Sequence, residues 1–235
     1  MKESKMKESK TAYPEKTGTF VATPEKGAVS SLLLRPRGAR WLLVLGHGAS
    51  SNMRHRTLQS IAEALYDAGI ATFRYQFPYM ERGGGGRDSQ AVSLSTVRAA
   101  VAAAGKAVSR LKLLAGGHSF GGRMTSLAAA EAALPRVKGL VFFSFPLHQP
   151  GNPNCERATH LDQIGVPLLF LSGSRDTMAQ PDHLQPLCAG LATADLHLLD
   201  TADHGFKILK RSRQSDEDVF AEMARVLAAW TADLG

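Results

Sequence analysis

The sequence predicts an α/β domain built on a doubly wound, mostly parallel sheet with helices on both faces. From residue 41 onward, short continuous apolar runs alternate with longer segments of helical character. These runs are apolar on both faces, as a parallel strand covered by helices on each side requires. The chain has 235 residues and is 44% hydrophobic, which suits one packed core. We therefore expect a single domain over residues 17–235.

The elements follow in order along the chain. Alternating apolar and polar residues at 19–22 and 29–34 predict an antiparallel pair that leads into the sheet. Continuous apolar runs predict strands at 41–45, 70–75, 111–115, 137–143, 166–171 and 196–199. The segments between them predict helices at 58–68, 89–109, 122–133, 181–192 and 216–234. Residues 146–163 are the one candidate lid, and they are too few for a separate cap domain, so we expect an open site.

Residues 1–16 are predicted to be a disordered tail. The pentapeptide at 1–5 is repeated at 6–10, and it is polar and charged, with nothing to bury. No apolar stretch approaches the length of about 18 residues that a membrane span needs, and no apolar segment follows the N-terminal lysines. Cys155 and Cys188 are too few for a disulfide framework and lack metal-binding spacing. We expect a cytoplasmic protein without a membrane association.

A net charge of +7 raises the question of nucleic-acid binding. Part of the excess lies in the tail, and the remaining basic residues are scattered without interleaved aromatic residues, so we expect no nucleic-acid partner. The arginines of the N-terminal half have two interpretations: they could favour anionic substrates at one side of a cleft, or they are ordinary surface charge, which we prefer. These residues are Arg35, Arg37, Arg54, Arg56, Arg74, Arg82 and Arg87.

A serine between two glycines is the most informative motif. Gly117-His118-Ser119-Phe120-Gly121 directly follows an apolar run and directly precedes an alanine-rich helical segment. A serine on a tight strand-to-helix turn adopts strained backbone geometry, and small residues two positions away let strand and helix approach. The motif predicts a nucleophile elbow with Ser119 as the nucleophile.

A serine hydroxyl needs a base, and the base needs an acceptor that fixes its tautomer. Asp176 and His204 each follow a predicted strand, in the chain order Ser, Asp, His. Ligand sites in such sheets lie beyond the carboxyl ends of the strands. Asp200 and Asp203 compete for the role of the acid, and we prefer Asp176.

The negative charge that develops on the carbonyl oxygen needs donors that are already in place. We expect these to be the backbone N–H groups of Ala49, in the loop after the strand at 41–45, and of Phe120. His47 is interpreted as a residue that braces this loop, and His118 as structural.

The run Gly83–Gly86 is interpreted as a flexible loop, because no Gly-Lys-Ser/Thr follows it as in a phosphate-binding loop. It follows the strand at 70–75, and two alternatives stay open for Phe77, Tyr79 and Met80 before it: apolar surface at the cleft, or packing. No His-Glu-x-x-His motif is present. We therefore expect neither a cofactor nor a metal.

From about Thr17 to the C-terminus the chain resembles the α/β-hydrolase superfamily. The segments at 46–50, 73–79, 116–124 and 203–206 are similar to a small dienelactone-hydrolase-like branch, which includes the hydrolase-like subunit of the nuclear NSL acetyltransferase complex and its testis-expressed relative. The resemblance implies the fold, the triad and the oxyanion loop. Dienelactone hydrolase itself uses a cysteine where this chain has Ser119, so its ring-opening activity is not implied.

The sequence thus favours a serine hydrolase of small esters or thioesters that works through an acyl-enzyme. A binding or scaffold protein that retains the fold is the alternative, as some members of the branch suggest. An acyltransferase or a cofactor-free perhydrolase with the same three residues also stays open. The oligomeric state is not predicted.

Overall fold

The computed structural model describes residues 13–234, and it contains one eight-stranded sheet. The strands are β1 (Glu15–Thr23), β2 (Gly27–Leu34), β3 (Trp41–Gly46), β4 (Ala71–Tyr75), β5 (Lys112–His118), β6 (Val137–Phe143), β7 (Leu168–Gly173) and β8 (Ala194–Leu199). The helices are α1 (Arg56–Asp67), α2 (Pro78–Glu81), α3 (Gln90–Ala107), α4 (Phe120–Glu131), α5 (Pro181–Ala189) and α6 (Val219–Asp233).

The sheet is doubly wound, as predicted. Its strand order is β1-β2-β4-β3-β5-β6-β7-β8. The pairs β1/β2 and β2/β4 are antiparallel, and the six strands β3 to β8 are parallel. The chain moves from β3 outward to β4 and then returns to β5 on the other side of β3. This reversal opens a crevice at the carboxyl ends of β3 and β5, where ligands bind in such sheets.

Two apolar layers cover the sheet, one on each face. Helices α3, α4 and α5 supply Leu94, Val97, Met124 and Leu184 to one buried cluster. Helices α1 and α6 supply Leu58, Ile61, Met223 and Leu227 to the other. This burial on both faces explains why the parallel strands are continuous apolar runs rather than alternating ones.

The structure corrects the predicted start of the domain. Strand β1 begins at Glu15, where the sequence predicted the end of the tail, because Glu15 pairs with Leu34 across the strands and its carboxylate binds the buried guanidinium of Arg74. Tyr13 also donates a hydrogen bond of 2.8 Å to Asp67. The rest of the tail prediction, residues 1–12, lies outside the described residues.

Residues 144–167 connect β6 to β7 and form no separate cap domain. They contain two short 3₁₀ turns, Glu156–Ala158 and Leu161–Gln163, and α2 is a further short helix that the sequence analysis did not predict. Among the described residues, no helix is both long and apolar enough to cross a bilayer.

Candidate active site

Ser119 lies on the turn between β5 and α4 with φ 51° and ψ −111°, a left-handed conformation that a serine rarely adopts. Its N–H donates to the carbonyl of Phe143 on the neighbouring strand at 2.9 Å, which holds the turn against the sheet. The structure therefore has the strained turn that the Gly-x-Ser-x-Gly motif predicts.

The two glycines of the motif are required by close backbone contacts. A Cβ atom on Gly121 would lie 2.4 Å from the carbonyl carbon and oxygen of Gly46, at the end of β3. A Cβ atom on Gly117 would lie 2.6 Å from the same oxygen. Real Cβ contacts are not this short, so any larger residue would separate the elbow from β3.

Ser119, His204 and Asp176 form a continuous chain of hydrogen bonds. The Nε2 atom of His204 lies 3.0 Å from the Oγ of Ser119. Its Nδ1 lies 2.9 and 2.8 Å from the two carboxylate oxygens of Asp176. The Asp176 side chain is fully buried and also accepts a hydrogen bond from the Met178 N–H at 2.8 Å, whereas the His204 side chain is 25% exposed. Three strand exits thus bring together the three predicted side chains.

The two competing acids have other partners. Asp203 accepts hydrogen bonds from the N–H groups of Gly205 and Lys207, both at 2.9 Å, and so stabilises the turn that carries His204. Asp200 accepts from the Gln214 N–H at 2.9 Å. Of the three candidates, it is Asp176 that the structure places on the His204 ring.

The N–H groups of Ala49 and Phe120 are the predicted oxyanion donors. Phe120 is the first residue of α4, so its N–H has no partner within the helix and lies at the positive end of the helix dipole. Within residues 13–234, neither N–H has a hydrogen-bond acceptor. Tyr79 links the two positions, because its hydroxyl donates to the Ala49 carbonyl at 2.8 Å and its ring contacts the Phe120 ring, with centroids 6.2 Å apart.

His47 braces the loop that carries Ala49. Its Nε2 accepts from the Phe77 N–H at 3.1 Å, so the proton resides on Nδ1, which donates to the Gly48 carbonyl at 2.8 Å. The side chain is fully buried, and burial lowers the pKa of His47 to about 4. A neutral imidazole therefore connects this loop to the segment before α2.

His118 has a contact that the sequence analysis did not identify. Its Nε2–H donates to the backbone carbonyl of His204 at 2.9 Å, and the two imidazole rings lie 5.4 Å apart. Burial lowers the pKa of His118 to about 4, so the ring is neutral. The residue beside Ser119 thus holds the loop that carries His204, a contact across 86 residues that no local pattern in the sequence signals.

The chain belongs to the α/β-hydrolase family, since residues 39–232 match the model of an alpha/beta hydrolase domain. Among solved structures, it is similar to a dienelactone hydrolase from Anabaena variabilis, with 19% identity, a TM-score of 0.72 and coverage of 94% of this chain and 97% of the other. An α/β serine hydrolase without lid from Xanthomonas campestris shares 18% identity, with a TM-score of 0.70 and coverage of 93% of this chain and 94% of the other.

The esterase domain of a Rhodothermus marinus protein is a third similar structure. It shares 21% identity with a TM-score of 0.68, and the match covers 94% of this chain and all (100%) of that domain. At these identities the likeness is one of fold. The shared fold extends over nearly the whole described chain, and this chain has no separate cap domain within residues 13–234.

Proposed function

We propose that this protein is a serine hydrolase that cleaves small esters or thioesters through an acyl-enzyme intermediate. The observation that carries the proposal is the hydrogen-bonded chain from the Ser119 Oγ through His204 to the buried carboxylate of Asp176. Geometry of this kind lets an imidazole take the hydroxyl proton as the oxygen attacks. The names of two similar structures, an esterase domain and a serine hydrolase, agree with this chemistry.

In the first half-reaction, the Ser119 Oγ attacks the carbonyl carbon of the ester, and His204 Nε2 accepts the hydroxyl proton. The π electrons of the carbonyl move to its oxygen, to which the N–H groups of Ala49 and Phe120 donate hydrogen bonds. The intermediate then collapses, the bond to the alcohol or thiol breaks, and His204 returns its proton to the leaving group. Ser119 is left as an ester of the acyl group.

In the second half-reaction, water attacks the acyl-enzyme while His204 accepts one of its protons. The acid is released when His204 returns that proton to Ser119. Asp176 accepts from His204 Nδ1–H throughout, and its negative charge stabilises the imidazolium that forms in each half. Because the Asp176 carboxylate is fully buried and bonded to the Met178 N–H, it is fixed before the reaction begins.

A fluorophosphonate probe tests the nucleophile. We expect the probe to label the wild type, to label Ser109→Ala equally, and not to label Ser119→Ala. Ser109 is an exposed serine after α3 and serves as the matched control. Equal labelling of the Ser119→Ala protein, or no labelling of any protein, would contradict the proposal.

A series of nitrophenyl esters from acetate to octanoate, assayed with the same three proteins, then measures hydrolysis and acyl preference together. Hydrolysis that depends on Ser119 supports the proposed function. Failure to hydrolyse any ester would favour the binding or scaffold protein that the family resemblance left open. Transfer of the acyl group to an added alcohol in preference to water would favour an acyltransferase.

A further inference from the structure

Three arginines lie near the first turn of α4, which follows Ser119. Arg123 lies in the first turn of α4, where its backbone N–H donates to the Ser119 carbonyl at 3.0 Å. The Arg87 guanidinium lies over the Phe120 ring, 5.7 Å from its centroid. Arg157, in a 3₁₀ turn of the β6–β7 connection, donates to the His148 carbonyl at 2.8 Å. Three separate segments thus bring positive charge to one place.

These guanidinium groups lie close enough to repel one another. Burial lowers the pKa of Arg123, and the charges of Arg157 and Arg87 lower it further. Burial and the charge of Arg87 likewise lower the pKa of Arg157. Arg123 and Arg157 are half-buried, and Arg87 is exposed. Gathering like charges in this way costs free energy, and an anion bound between them would offset that cost.

Among the residues that the structure describes, no carboxylate lies within ion-pair distance of the three arginines. Within residues 13–234 none of them forms an ion pair, and the Nε of Arg123 is buried without a hydrogen-bond partner. Other arginines of the chain do pair with Asp or Glu: Arg54, Arg74, Arg82, Arg98, Arg213 and Arg225. Exposed arginines such as Arg110 also form no ion pair within the described residues, but Arg123 and Arg157 differ from them because both are half-buried at one cavity.

A polar cavity of about 360 Å³ extends from Arg123 and Arg157. The side chains of Gln149, Asn152 and Asn154 line it, and Glu156 is an exposed residue at the same cavity. Carboxylate and phosphate oxygens accept hydrogen bonds from guanidinium and amide N–H groups of this kind.

We propose that Arg87, Arg123 and Arg157 form an anion-binding subsite that selects esters carrying a carboxylate or phosphate group. The inference rests on the proposed hydrolase function, since it assigns the substrate class of that same site. In this arrangement the anionic group binds the arginines and the ester carbonyl reaches Ser119, which precedes Arg123 by one helical turn. Arg87 covers the Phe120 residue that donates to the oxyanion.

Two esters of equal acyl length test the subsite: 4-nitrophenyl hydrogen adipate, which carries a carboxylate, and neutral 4-nitrophenyl hexanoate. We expect the wild type to prefer the adipate ester in kcat/KM by about tenfold or more. The ratio of the two kcat/KM values should fall toward one in Arg123→Gln. It should also fall in Arg87→Gln, where the replaced residue is exposed and the fold is therefore less affected. Arg110→Gln, which removes an exposed arginine beside β5, is the matched control and should keep the wild-type ratio.

Equal kcat/KM for both esters, or a ratio that Arg123→Gln and Arg87→Gln leave unchanged, would overturn the inference while Ser119-dependent hydrolysis keeps the proposed function. If the wild type hydrolyses neither ester, the proposed function fails. Anion binding measured by isothermal titration calorimetry then tests the subsite separately. Adipate and inorganic phosphate are then titrated into the wild type, Arg123→Gln and Arg110→Gln. Binding that only Arg123→Gln loses supports the subsite and shows which anion it accepts, and no binding to the wild type refutes it.

Discussion

Lowering the pH is expected to destabilise the protein through His47, whose ring holds the loop of the proposed oxyanion donor Ala49. The ring is fully buried, its Nε2 accepts from the Phe77 N–H, and its Nδ1–H donates to the Gly48 carbonyl. A proton added to Nε2 would place two donors face to face and bury a charge. This is why burial lowers the pKa of His47 to about 4 from its ordinary value of 6.5.

The sign and size of the effect follow from these two values. Between pH 6.5 and 4 the unfolded chain binds a proton at His47 that the folded protein excludes, so the free energy of unfolding falls as the pH falls. The stabilising contribution is complete above pH 6.5 and is lost toward pH 4. Between pH 7 and pH 5 the loss is about 2 kcal/mol. His118 is shifted in the same direction and adds to the wild-type pH dependence.

Urea unfolding of the wild type and of His47→Gln at pH 7 and pH 5 measures this contribution. Glutamine offers an oxygen and an N–H group but does not titrate, so the variant should lose about 2 kcal/mol less than the wild type between the two pH values. At pH 7 the variant should be less stable, because it loses ring contacts with Phe77 and Tyr79. An equal loss in both proteins would refute the reasoning.

Three further variants test the site and the fold. Asp176→Asn should lower kcat for nitrophenyl acetate by about 10⁴-fold, because the amide favours the wrong tautomer of His204; a decrease below tenfold would contradict the assigned role. Gly121→Ala should lower the melting temperature and abolish hydrolysis, since its Cβ meets backbone at 2.4 Å, whereas Gly165→Ala has nothing within 4 Å and should match the wild type in both measurements. Glu15→Gln should destabilise the protein by about 3 kcal/mol in urea unfolding by leaving the buried Arg74 unpaired, and an unchanged midpoint would show that this ion pair contributes little.

The sequence predicted the parallel part of the sheet well, because burial on both faces leaves a local signal in each strand. The boundaries of the elements were less accurate, for a local reason in one case and a distant contact in another. Helix α4 begins at Phe120, two residues before its predicted start, because the elbow turns directly into the helix. Strand β1 begins at Glu15 because of an ion pair with Arg74, which is 59 residues away.

The site shows the same division between local and distant causes. Ser119 could be found from its own neighbours in the sequence. Close backbone contacts require glycine at the two positions that lie two residues before and two residues after it. The bond from His118 to the His204 carbonyl spans 86 residues, and no local pattern predicts it. The arginine cluster is similar, since Arg87 lies in the segment before α3 while Arg157 lies after β6.

Backbone strain explains why the proposed nucleophile, Ser119, can be recognised from the sequence when other turns at the same sheet edge cannot. Ser144 after β6 and Thr201 after β8 also have positive φ, at 53° and 57°, and such residues cost about 1–3 kcal/mol each. Neither is followed directly by a helix that must pass close to a neighbouring strand, so neither needs glycine two positions away on both sides. At Ser119 the strained residue leads directly into a helix that passes close to β3, and this pairing orients a hydroxyl toward His204 while leaving the first N–H of α4 free to donate.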